Sequence, residues 1–201
     1  MNRPKLLMLD EPFAALDPQL KDRLCMELKR ILTEYGGPSL LVTHDRNEAY
    51  MLCPSIAIVD NGTVFPPRET KQLFARPQTV AEALMTGRRN ILRAEYCGEN
   101  RAYIPALSLS LVTEEPLDPT LCAVGIDPCA LRPDGTENAI RAAVADSVPV
   151  LGSRMLLLTP EGAETGETIC WETAENRLSA GMSCTVVIPP SAIRPLYPKP
   201  L

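Results

Sequence analysis

Two short clusters hold the residue types that could do chemistry: Asp10-Glu11, and Thr43-His44-Asp45. Asp10 and Glu11 close the apolar run Leu6-Leu7-Met8-Leu9, and Pro12 after them cannot continue a central strand. Four apolar residues in a row predict a strand over residues 5–9 that is buried on both faces, as in a parallel sheet covered by helices. Both acids would then lie at the carboxyl end of that strand, where open α/β sheets bind ligands. One carboxylate there can hold a hydrated Mg²⁺, and a second can orient or deprotonate a water. His44 is the single histidine of the chain and follows a second aliphatic run, Leu40-Leu41-Val42.

The elements that must position these residues are legible. Asp17 is a good N-cap and Pro18 suits the first position of a helix over residues 18–35. Leu20, Leu24, Leu28, Ile31 and Leu32 recur at helical spacing, which predicts that they face the core while Lys21, Asp22, Arg23, Lys29 and Arg30 stay in water. Gly36-Gly37 and Pro38 end the helix. A strand over 39–43 follows, then a short helix over 46–52 capped by Asp45. Residues 55–60 read as one further strand, and Asn61-Gly62 as a hairpin turn into 63–65. Residues 69–75 and 79–85 read as two short helices.

Phe13-Ala14-Ala15-Leu16-Asp17-Pro18 links the two clusters, and the whole series resembles the Walker B strand, D-loop and switch-histidine strand of an ABC transporter ATP-binding subunit. The resemblance implies that Asp10 is the Mg²⁺-side carboxylate and Glu11 the general base for the attacking water. It implies that Asp17 faces a partner subunit and that His44 contacts the γ-phosphate. The cofactors implied are ATP and Mg²⁺, and the partners are transmembrane permease subunits and a second ATP-binding subunit, on the cytoplasmic face of the cell membrane. No G-x-x-x-x-G-K-[ST] segment, which would cradle phosphates with backbone N–H groups, occurs in the 201 residues. The expectation is therefore the C-terminal half of an ATPase subunit, inactive alone, with the edge and part of the apolar face of its strands open and prone to pairing with another chain.

Near Gly87 the texture changes. Twelve of the 20 prolines lie after residue 100, and short apolar stretches (104–111, 121–126, 140–144, 155–159, 169–172, 184–188, 193–196) alternate with turn residues. Even short strands predict a small barrel or sandwich. Val124-Gly125-Ile126-Asp127-Pro128 with Ala130-Leu131-Arg132-Pro133 resembles the hallmark of a transport-associated OB-type domain, although Asp127 stands where an arginine is expected. The fold class expected is thus α/β over 1–87, a partial P-loop NTPase sheet, followed by a single all-β OB-like barrel over 88–201. Arg89-Asn90-Ile91 and Ile169-Cys170-Trp171-Glu172, with Val187-Ile188-Pro189-Pro190-Ser191, resemble the molybdate-type importers. That implies an oxyanion cargo and a possible oxyanion ligand on hydroxyls such as Ser147, Ser153 or Ser183. The alternative is a non-catalytic oxyanion-binding regulatory module.

Composition narrows the classes. A net charge of −5 and a pI near 5.0 argue against nucleic acid as a partner. Seven scattered cysteines without a C-x-x-C pair fit reduced thiols better than a zinc site or a disulfide framework. No apolar run approaches the roughly 20 residues of a membrane span.

Overall fold

The structure is a computed structural model and describes residues 4–175 and 177–199. The chain divides into two compact units between Ala75 and Arg76; the boundary expected from the sequence lies a little later, near Gly87.

The first unit is α/β. Strand β1 (Leu7–Asp10) runs through helix α1 (Pro18–Tyr35) into β2 (Ser39–Val42), which pairs with β1 in parallel, Leu7 opposite Ser39 and Asp10 opposite Val42. Helix α2 (Arg46–Leu52) follows. The single strand expected over 55–60 is instead two, β3 (Ser55–Ile56) and β4 (Val59–Asp60). β4 turns into β5 (Thr63–Val64), while β3 pairs with β6 (Arg68–Glu69), just before helix α3 (Thr70–Ala75). Asn61 and Gly62 both have positive φ, 46° and 75°, as a two-residue hairpin turn requires.

Two expectations about burial fail here. β1 is half-buried on one face only: Leu7 and Leu9 are partly covered, whereas Met8 opposite them is 65% exposed. Among the described residues β1 and β2 form a two-stranded sheet, and Leu40 and Val42 of β2 are 49% and 50% exposed as well. On α1 the covered stripe is Lys21, Leu24, Cys25, Leu28 and Leu32; Leu20 and Ile31 are 41% and 45% exposed. Lys21 leaves the water because its ammonium has partners on α2, described below.

The second unit is all-β apart from α4 (Val80–Met85). Its strands are β7 (Ile91–Arg93), β8 (Glu95–Tyr96), β9 (Arg101–Ile104), β10 (Leu109–Val112), β11 (Ala123–Ile126), β12 (Ala139–Val150), β13 (Ser153–Pro160), β14 (Ile169–Thr173), β15 (Ser183–Val187) and β16 (Ile193–Leu196). They form three antiparallel sheets, ordered β10-β9-β8, β16-β11-β7 and β14-β13-β12-β15. The run 104–111 is not one strand, because Pro105 opens a 3₁₀ turn over Pro105–Leu107. β12 alternates as far as Val144, burying Ile140, Ala142 and Val144, until a bulge before Asp146 shifts the register. One large core runs through this unit, including Ile104, Leu111, Ile126, Leu156, Leu158, Ile169 and Ile188, and a small second cluster joins Ala83, Ala123 and Leu196. Trp171 belongs to it, 2% exposed, its indole N–H donating to Leu131 O at 3.1 Å. Among the described residues no helix is long and apolar enough to cross a membrane.

Candidate functional site

The parallel ladder of β1 and β2 is extended by one bond, Glu11 N–H to Val42 O at 2.9 Å, before the chain turns away. Glu11 turns in the left-handed region, φ 44°, which costs a non-glycine residue on the order of 1 kcal/mol. That turn brings its carboxylate over the start of the 43–45 segment. Oε1 accepts from the backbone N–H of His44 at 3.0 Å and lies 2.8 Å from His44 Nδ1. One carboxylate oxygen thus holds both the backbone and the ring of His44, and Oε2 is left outside this pair of bonds. The imidazole is 80% exposed and Glu11 33%. The hydrogen bond that Glu11 accepts from the ring, reinforced by its negative charge, raises the His44 pKa above its ordinary 6.5.

Asp10 is exposed at the last position of β1, next to Glu11. Among the described residues no cluster of three or more His, Cys, Asp or Glu side chains could hold a metal ion, and the ion expected at Asp10 is Mg²⁺. That ion commonly keeps several waters and takes one or two carboxylates plus substrate phosphates. Asp17 belongs to the segment between β1 and α1. It is exposed and caps α1, its Oδ1 accepting from Leu20 N at 3.0 Å.

The sequence reading misses a second layer behind the histidine. Lys21 Nζ lies 2.6 Å from Asp45 Oδ2 and 2.7 Å from Glu48 Oε1. Thr43 Oγ1 donates to Glu48 Oε2 at 2.5 Å and accepts from Asp45 N at 3.0 Å. Asp45 Oδ1 also accepts from Asn47 N and Glu48 N, capping α2. Two carboxylates raise the Lys21 pKa, and the bond from Lys21 lowers that of Asp45. The signal was present: an N-cap Asp45 with an acid three residues on, and a lysine on the covered stripe of the preceding helix.

In the second unit the proposed oxyanion hydroxyls do not converge. Ser147 Oγ accepts from Arg154 Nε at 3.0 Å, Ser153 Oγ donates to Glu172 Oε1 at 2.8 Å, and Ser183 is exposed at the start of β15. Asp127, the departure from the OB-type hallmark, caps a 3₁₀ turn by accepting from Cys129 N at 3.0 Å.

No family model matches the chain. Its homologues include ATP-binding subunits of ABC importers. It is 34% identical over 176 residues to the spermidine/putrescine import ATP-binding protein PotA of Rubrobacter xylanophilus, covering 81% of this chain and 46% of that protein. To the Fe(3+) ions import ATP-binding protein FbpC of Streptomyces coelicolor it is 29% identical over 169 residues, 84% of this chain and 47% of that one. The chain therefore spans less than half the length of these relatives. Among solved structures, the cytoplasmic molybdate-binding protein ModG aligns with 53% of this chain and 94% of its own, at 15% identity and a TM-score of 0.42.

Proposed function

We propose that this chain is the part of an ABC importer ATP-binding subunit that handles the attacking water and the switch, followed by an accessory domain of the OB-type class. The observation that carries the reading is Glu11 Oε1 joined to both the backbone and the ring of His44, beside Asp10. In phosphoryl transfer the protein contributes positioning and charge stabilisation. Glu11 takes the proton of the water it orients. His44, held by Glu11, presents its other ring nitrogen as a donor to developing negative charge. Asp10 would hold Mg²⁺, which supplies charge neutralisation to the triphosphate when bound. Asp17 would face a second ATP-binding subunit, and permease subunits would complete the importer.

The test is a complete subunit in which a phosphate-loop segment is supplied. Glu11→Gln should keep MgATP binding and reduce turnover by about 10²–10⁴-fold, the range for loss of a general base. Equal turnover in the two proteins would remove Glu11 from that role.

For the cargo we propose an inorganic oxyanion of the molybdate class. The support is the pair of stretches that resemble molybdate-type subunits, Arg89-Asn90-Ile91 and Ile169-Cys170-Trp171-Glu172, which are hydrogen-bonded to each other through Asn90 and Cys170. Melting with molybdate, tungstate and sulfate tests whether the accessory domain takes such an ion. Binding at a hundred times Kd adds about 2.7 kcal/mol of stability. No shift with any of the three would leave the domain a structural element.

A further inference from the structure

We infer that Lys21, Glu48, Asp45 and Thr43 form a positioning cluster that holds the His44 peptide where Glu11 can bridge its N–H and its ring. The argument begins with burial. Glu48 is 2% exposed, while Lys21 and Asp45 side chains are 23% and 25% exposed. A carboxylate taken out of water in this way needs partners for both oxygens, and it has them: Lys21 on one, Thr43 on the other. Lys21 is the one member that lies on a different helix, α1, so it clamps the first turn of α2 from outside.

The cluster closes on the backbone beside the histidine. Thr43 precedes His44 and Asp45 follows it, and the two are tied to each other by Asp45 N–H to Thr43 Oγ1. The His44 peptide is thereby pinned at both ends by groups that Lys21 and Glu48 hold. Neither Lys21 nor Glu48 touches Glu11 or the His44 ring by any bond among the described residues, so they act through Thr43 and Asp45. Because Lys21 on α1 holds both Asp45 and Glu48, a shift of α1 would be transmitted to the histidine peptide. The charged groups facing that peptide are Glu11 from the end of β1, Lys21 from α1, and Asp45 and Glu48 from α2.

This inference rests on the reading of Glu11 and His44 as the water-handling pair, but its test needs no nucleotide. His44 is the chain's single histidine, so the ¹⁵N signals of one imidazole report the bond from Nδ1 to Glu11. Exchange of the His44 amide reports the other bond. Measured on the full 201-residue chain, Lys21→Met should remove the Nδ1 signature and speed exchange of that amide about tenfold or more, while Lys21→Arg restores both. Thr43→Val, which leaves the Lys21–Glu48 pair in place, should do the same as Lys21→Met, and it decides the matter if Lys21→Met fails to fold. A lower melting temperature with the His44 signals unchanged in either variant would make the cluster a helix brace and overturn the inference. Failure of the catalytic reading is separate: it would appear as unchanged turnover for Glu11→Gln with the His44 signals still dependent on Lys21.

Discussion

The side chain of Asn90 pairs both ways with the backbone of Cys170, 80 residues along the chain: Nδ2 donates to Cys170 O at 2.8 Å, and Oδ1 accepts from Cys170 N at 2.7 Å. Asn138 treats Val112 identically, donating at 2.8 Å and accepting at 2.7 Å, and adds a bond to Ile188 O at 3.1 Å. Both asparagines have positive φ, 47° and 54°, and each stands immediately before a strand. An amide side chain thus continues a ladder where the main chain has turned away.

Asn90→Ala and Asn138→Ala should each destabilise the second unit by about 2–4 kcal/mol, because two backbone polar groups lose their partners. Replacement by glycine should cost about 1 kcal/mol less than replacement by alanine, since the left-handed backbone is then unstrained. Urea denaturation followed by the fluorescence of Trp171, the chain's only tryptophan, measures both differences.

A partner that raises a histidine pKa stabilises the charged ring. The contribution of Glu11 to stability is therefore complete below pH 6.5 and disappears as pH climbs through the higher folded value of His44. Asp45 runs the other way: Lys21 lowers its pKa, so its contribution is present above 3.8 and is lost as pH falls through the folded value. NMR titration of the His44 ring should give a midpoint above 6.5 in the native chain, and Glu11→Gln should bring it back down. An unchanged midpoint in that variant would contradict the geometry of the pair.

Residues 1–75 alone should associate. Met8, Leu40 and Val42 on the two-stranded sheet are 65%, 49% and 50% exposed, and Met26 on α1 is 64% exposed. Light scattering of that fragment should show oligomers that resolve when a segment able to pair with β1 is co-expressed. A monodisperse monomer with cooperative unfolding would sink this prediction.

Residues 76–201 should fold alone, because they hold a large buried core of their own. Leu156→Ala and Leu158→Ala, both at 0% exposure, should each cost about 2–5 kcal/mol. Denaturant midpoints of the isolated unit test this directly.

What the sequence revealed follows from local chemistry. Asp17 and Asp45 as caps, Asn61-Gly62 as a hairpin turn and Gly36 as a left-handed helix stop are signals confined to a few residues, and each is found in place. The helix over Pro18–Tyr35 has the bounds its pattern predicts. What failed depends on partners remote in sequence. Lys21 reads as a solvated lysine until Asp45 and Glu48, 24 and 27 residues on, are folded against it. The backbone bonds made by the Asn90 and Asn138 amides could not be read either, since only the folded β unit shows which strands they complete. The exposed face of β1 was expected only from the lack of a phosphate-loop strand to neighbour it, since an apolar run by itself reports a preference for burial and not whether a covering layer is present.

The 80-residue span of the Asn90 bond sets an order of events during synthesis. Chains grow at about 5–20 residues per second, so Asn90 waits roughly 4–16 s for Cys170 to be made. Meanwhile Asn138 cannot tie Val112 to Ile188 until 50 further residues have followed it. Strands β7 to β11 thus emerge without the amide partners that complete their ladder, and contacts of such separation close slowly. The β unit is expected to fold in one late, cooperative step after most of it has left the ribosome, in a window when its unpaired strands need shelter from neighbouring chains.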